Sequence, residues 1–197
     1  MKINKLCLAV SLLSGAAIMA IEVSMAKMFE PRVGYSITLW SSIIAFTMLG
    51  LALGYYLSPK FARFKQYRVA LPLAGSLMLS FFSPQIFQGL FGMLEGSGIK
   101  MVIFLCSFVL LVPNLLFLGS VSPSLIGLIN ENSESSGKSA GTIFSISTIG
   151  GILACIIFGL YTLPYLGIKF SFMLIAILLL LGFLLVLLYN NSSRPNE

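Results

Sequence analysis

Residues 101–130 read MVIFLCSFVL LVPNLLFLGS VSPSLIGLIN, a stretch without one charged side chain. Wound as an α-helix it is about 45 Å long, more than the roughly 30 Å of a bilayer's hydrocarbon core. Working outward, the same absence of charge recurs over 69–94, 33–59 and 6–21 on one side and over 139–168 and 170–193 on the other. Five of these runs exceed the roughly 20 residues a crossing needs; the first needs 22–26 to complete its span, which brings Glu22 into the helix near its far end. The expected fold is all-α: a polytopic membrane helix bundle of about six transmembrane helices, near 6–26, 35–57, 69–91, 101–126, 140–163 and 169–189, in a single transmembrane domain over 1–197.

Composition agrees. With 58% hydrophobic and 9% charged residues the chain has too little polar surface to face water, since a soluble domain carries roughly a quarter charged residues. The bilayer itself is the first expected partner. The net charge of +6 does not point to nucleic acid, because the twelve basic residues are scattered singly apart from Lys60, Arg63, Lys65 and Arg68. Such a cluster orients a membrane protein instead. With the N-terminus inside, Lys2, Lys5, Lys60, Arg63, Lys65, Arg68, Lys138 and Arg194 lie on the inner side and Lys27, Arg32, Lys100 and Lys169 on the outer. Both termini are therefore expected in the cytoplasm, 130–138 as a cytoplasmic loop, 190–197 as a polar tail, and the whole chain in a bacterial inner membrane. A competing reading makes the first segment a signal peptide cleaved before Lys27, which leaves five spans.

Three features inside the spans carry chemical information. Glu22 is an acidic group where an ionised carboxylate is costly, so it must be protonated, paired or facing water, with Lys27 and Arg32 the cations placed to reach back to it. Pro84, Pro113 and Pro123 each remove a backbone hydrogen bond and tend to kink a helix, and Asn114 directly after Pro113 has an amide for the freed carbonyl or for a substrate. Trp40 belongs either to the aromatic belt at the membrane surface or to a cavity wall. Glu22, Lys27, Trp40 and Asn114 thus form the candidate buried polar or ion site.

Small residues mark close helix contacts. Gly50 and Gly54 form a G-x-x-x-G, and Ser147, Gly151, Cys155 and Gly159 recur every fourth residue as a smooth ridge. Spacing alone does not say whether the helix that meets the ridge belongs to this chain or to a partner. Cys7, Cys106 and Cys155 lie in apolar stretches without C-x-x-C spacing, and the chain has no histidine, so neither a metal nor another cofactor is expected.

The stretch IEVSMAKMFEPRVGYSITLWSSIIAFTMLGLALGYYL, with Glu22, Lys27, Pro31, Gly34, Trp40, Gly50 and Gly54, resembles the first two helices of the membrane domain in fused spermidine-synthase-like, major-facilitator-related membrane proteins. PNLLFLGSVSP (Pro113, Gly119, Pro123), GKSAGTIFSISTIGG (Gly137, Gly141, Ser147, Thr148, Gly150, Gly151) and LPYLG (Leu163, Pro164, Gly167) extend the similarity over most of the chain. Lys27 stands where the family more usually has arginine, which removes the bidentate geometry an arginine would offer Glu22. Long family members carry a soluble aminopropyltransferase-like domain after the helices. No stretch here holds such a fold, so polyamine synthesis by this chain alone is not expected. Six helices correspond to half a major-facilitator bundle, although the segment after Gly54, YYLSPKFARFKQYR, lacks that superfamily's usual aspartate.

Three functional readings follow. The first is a non-catalytic membrane subunit or scaffold that packs against a partner in a heteromeric complex. The second is a small transporter-like protein that works as a homo-oligomer, with Glu22, Asn114 and Trp40 near its path. The third, a membrane-embedded enzyme, has no catalytic constellation in this sequence to support it.

Overall fold

Each uncharged run folds into a helix, because a backbone surrounded by side chains this apolar satisfies its N–H and C=O groups only in its own ladder. The computed structural model describes residues 5–64, 67–94, 96, 98–130 and 136–192. It contains α1 (Lys5–Val33), α2 (Ile37–Ala62), α3 (Ala70–Met93), α4 (Ile99–Asn130), α5 (Ser136–Ile157), a π-helical segment (Phe158–Leu166) and α6 (Gly167–Ser192). No strand occurs among the described residues. Most of the expected 130–138 loop and of the 190–197 tail lies outside them.

Five helical stretches are long and apolar enough to cross a membrane, and the chain is an integral membrane protein. The last of the five, Gly137–Leu188, is 52 residues long and folds back on itself. Gly15 meets Ser147, Gly151 meets Met19 and Gly159 approaches Val23, so α5 runs parallel to α1. Gly182 meets Leu13, whereas Leu185 and Val186 close around Cys7 and Val10, so α6 runs the opposite way. The described residues therefore make six traverses of the bundle. The reversal falls at Gly167, whose φ of 77° is a conformation that side chains with a Cβ avoid.

The approach to that reversal differs from the ordinary helix end expected near 163. Pro164 has no N–H to give the ladder, and the chain winds wider through Phe158–Leu166, with the Thr162 hydroxyl donating to the Ile157 carbonyl five residues back at 3.3 Å. Pro84 lies inside α3, and Pro113 and Pro123 inside α4; both helices continue through them. At the α1–α2 turn, Gly34 takes a φ of 70° and donates its N–H to the Glu30 carbonyl, ending α1, and the Ser36 hydroxyl accepts from Leu39 N at 3.1 Å, starting α2.

In lipid, helices gain nothing from burying one apolar side chain against another rather than against an acyl chain, so close packing and hydrogen bonds decide which pairs form. α2 lies along α4, α1 along α5 and α6, and α3 along α4 and α6. A Cβ on Gly54 would strike the Leu116 carbonyl, and one on Gly50 would come within 3.0 Å of the Val112 carbonyl. Gly15 lies against the Ser147 backbone, and Gly150 against that of Leu12. Both small-residue faces thus meet helices of the same chain. Buried serines reinforce the seams: Ser11 donates to the Ile143 carbonyl at 2.7 Å across α1–α5, and Ser58 bonds Ser124 at 3.1 Å across α2–α4.

Gly150→Val is expected to cost about 1–3 kcal/mol by forcing α1 from α5, lowering the unfolding temperature in detergent. Gly89→Ala, with open space around the new methyl group inside α3, should not lower it. Equal unfolding temperatures for the two variants would refute this account of the α1–α5 seam.

Candidate functional site

Because α1 pairs with α5 and α2 with α4, a cleft remains between the two pairs. Its volume is about 430 Å³. One wall is Gly15, Ile18 and Met19 of α1, with Ser147, Thr148, Gly151, Ile152, Cys155 and Ile156 of α5; the other is Tyr55 of α2 with Leu118, Gly119 and Ser122 of α4. Phe144 and Tyr55 meet edge to face across one end, with ring centroids 6.3 Å apart. The lining is mainly apolar, with the hydroxyls of Tyr55, Ser122, Ser147 and Thr148 and the Cys155 thiol as its polar atoms. Cys155 is exposed here, whereas Cys7 and Cys106 are buried.

Glu22 belongs beside this cleft. It follows Gly15, Ile18 and Met19 by seven, four and three residues, so it continues the α1 face that lines the cavity, one turn further along. The register of Met19 against Gly151 and Val23 against Gly159 sets it level with Cys155 and Ile156. The side chain is half-buried, and among the described residues no hydrogen bond or ion pair reaches its carboxylate.

The cations expected to reach back to it do not. Lys27 pairs with Glu30. Five residues turn a helix through about 500°, which puts Lys27 about 140° around α1 from Glu22, whereas residues three apart are neighbours on one face. Arg32 lies over the rings of Phe87 and Phe91, 5.2 and 4.6 Å from their centroids, tying the far end of α1 to α3.

Asn114 is placed elsewhere. It is fully buried between α4 and α3, where its Oδ1 accepts from Ser76 Oγ at 2.5 Å and its Nδ2 donates to Ser80 Oγ at 2.9 Å. Its amide holds two helices together and leaves neither end toward the cleft or the carbonyl freed by Pro113. Trp40 stands exposed near the start of α2 and is not among the residues lining the cleft. None of the four residues grouped by the sequence is among those lining the cleft; Glu22 continues, one turn further along, the α1 face that does.

Gly15, Ser122 and Phe144 did not stand out in the sequence. The small run Ser14–Gly15–Ala16–Ala17 was a signal for the first of them, being the natural counterpart of the ridge on α5. No local signal brings Tyr55 to Phe144, because their meeting depends on which helices pair. No protein family, curated protein or solved structure matches the chain.

A double-mutant cycle of Asn114→Leu with Ser76→Ala should give a coupling energy of about 1 kcal/mol in detergent unfolding, the usual size of an interhelical hydrogen bond in a membrane protein. A coupling of zero would show that the pair does not join α3 to α4.

Proposed function

We propose that this chain is a small transporter-like protein of a bacterial inner membrane, working as an oligomer, with both termini in the cytoplasm and the cleft beside Glu22 as its binding site. One observation carries the reading: a carboxylate within a membrane-spanning helix, half-buried on the α1 face that continues from the cleft, has no cation or hydrogen-bond donor from its own chain among the described residues. A charged group held at that depth without a partner is costly unless a proton or a bound cation neutralises it. Alternating neutralisation by the two is the elementary step of coupled exchange. Six helices with a cleft open along one side make half of an enclosed path, so a second copy is required to close it.

The faces Gly50–Gly54 and Ser147–Gly151 pack against helices of the same chain. The cleft's volume of about 430 Å³ falls in the range of small-ligand sites. A second reading, a non-catalytic subunit of a membrane complex, draws on the cleft's outer flank, where Phe144, Ile152 and Ile156 are exposed to whatever lies beside the bundle.

Reconstituted in vesicles, Glu22→Gln should slow proton- or cation-coupled uptake at least ten-fold while chromatography shows unchanged assembly. Uptake at the original rate would remove Glu22 from the mechanism. Release of a co-purifying partner by the same change would favour the second reading.

A further inference from the structure

Resting on that reading of the cleft as a binding site, we infer that its ligand is an amphiphilic organic cation: an elongated apolar body carrying one fixed or protonated positive group. Three independent features of the cavity lead there. Its α5 wall is elongated, about 18 Å from Phe144 to Ile156, and its volume is about 430 Å³. That suits an alkyl or slender aryl body better than a globular solute. Its lining is Ile18, Met19, Leu118, Ile152 and Ile156 with scattered hydroxyls, which offers nothing to a sugar, a nucleotide or a hydrated ion that must keep many hydrogen bonds.

The third feature is charge. Among the described residues, Glu22 is the only ionisable carboxylate on the cleft side, and the two nearest cations in sequence are committed elsewhere, Lys27 to Glu30 and Arg32 to Phe87 and Phe91. Among the described residues no charged side chain, basic or acidic, lines the cavity itself, and Glu22 stands one turn beyond Met19 on the same α1 face. An anionic amphiphile would therefore meet repulsion, and a neutral one would leave the carboxylate without a counterion. The two ends of the cleft differ in the same sense. Tyr55 and Phe144 close one end with aromatic rings, suited to an apolar tail, and Glu22 lies past Met19 toward the other. The ligand is held tail toward Phe144 and cation toward Glu22, reaching the cleft along its flank from the bilayer, where such molecules partition.

The test uses dodecyltrimethylammonium bearing a mid-chain diazirine, and dodecanol bearing the same group, with the full chain in phosphatidylcholine vesicles. Photolysis followed by mass spectrometry locates the attachment. Saturable labelling of 144–156 by the ammonium probe is expected, at least ten-fold weaker in Glu22→Gln and largely retained in Glu22→Asp. It should also be lost in Thr148→Trp, which fills the cleft from an exposed position away from the α1–α5 seam. Unchanged unfolding temperatures in the variants show that the loss is of binding. Equal labelling by the alcohol overturns the proposal and leaves a slot for bilayer acyl chains; absence of saturable labelling overturns it outright. Glu22-dependent labelling without uptake of the ammonium supports the ligand class and sinks the transport reading, so the two fail separately.

Discussion

The structure depends on how closely α1 can approach α5. Between membrane helices there is no water to expel, and a pair forms only where backbones come near enough for many weak contacts and for carbonyls to be reached by hydroxyls. Gly15 and Gly150 permit that approach, and the Ser11 hydroxyl uses it to reach the Ile143 carbonyl. α6 then lies on α1 as well, running back along it, so the first helix has the later ones arranged around it.

A second close pair, α2 with α4 at Gly50 and Gly54, follows the same rule without joining the first along its full length. The cleft is the space between two tight pairs that do not merge. Its lining is mainly apolar because both pairs place ordinary membrane side chains there. The isolation of Glu22, just beyond it on α1, follows from helical geometry: Glu30 is the acidic residue at the right spacing for Lys27, and α3 has aromatic rings waiting for Arg32.

Much of the fold was legible in the sequence. Uninterrupted apolar runs locate helices because length and lack of charge are properties of the chain alone, and the glycine spacings marked the faces that do pack closely. What could not be read was pairing. The ridge at Ser147, Gly151 and Gly159 announced a close contact but not that α1 would fill it, and Asn114 looked available until the structure set Ser76 and Ser80 opposite its amide. The separation of Lys27 from Glu22 was readable, since five residues carry a side chain to another face of the helix; proximity in sequence hid it. The π winding before Gly167 had a sign in Pro164, but a proline near a span's end fits a plain terminus equally well.

That winding has a consequence for how the chain is made. Between the fifth and sixth traverses the sequence offers neither a hydrophilic connection nor a polar cluster, only Pro164, Gly167 and the single charge of Lys169. A ribosome feeding these residues to an insertion channel presents one unbroken greasy stretch. At 52 residues it is far longer than one crossing, so its two limbs must enter the bilayer in opposite directions, with Gly167 the place where the chain can turn back.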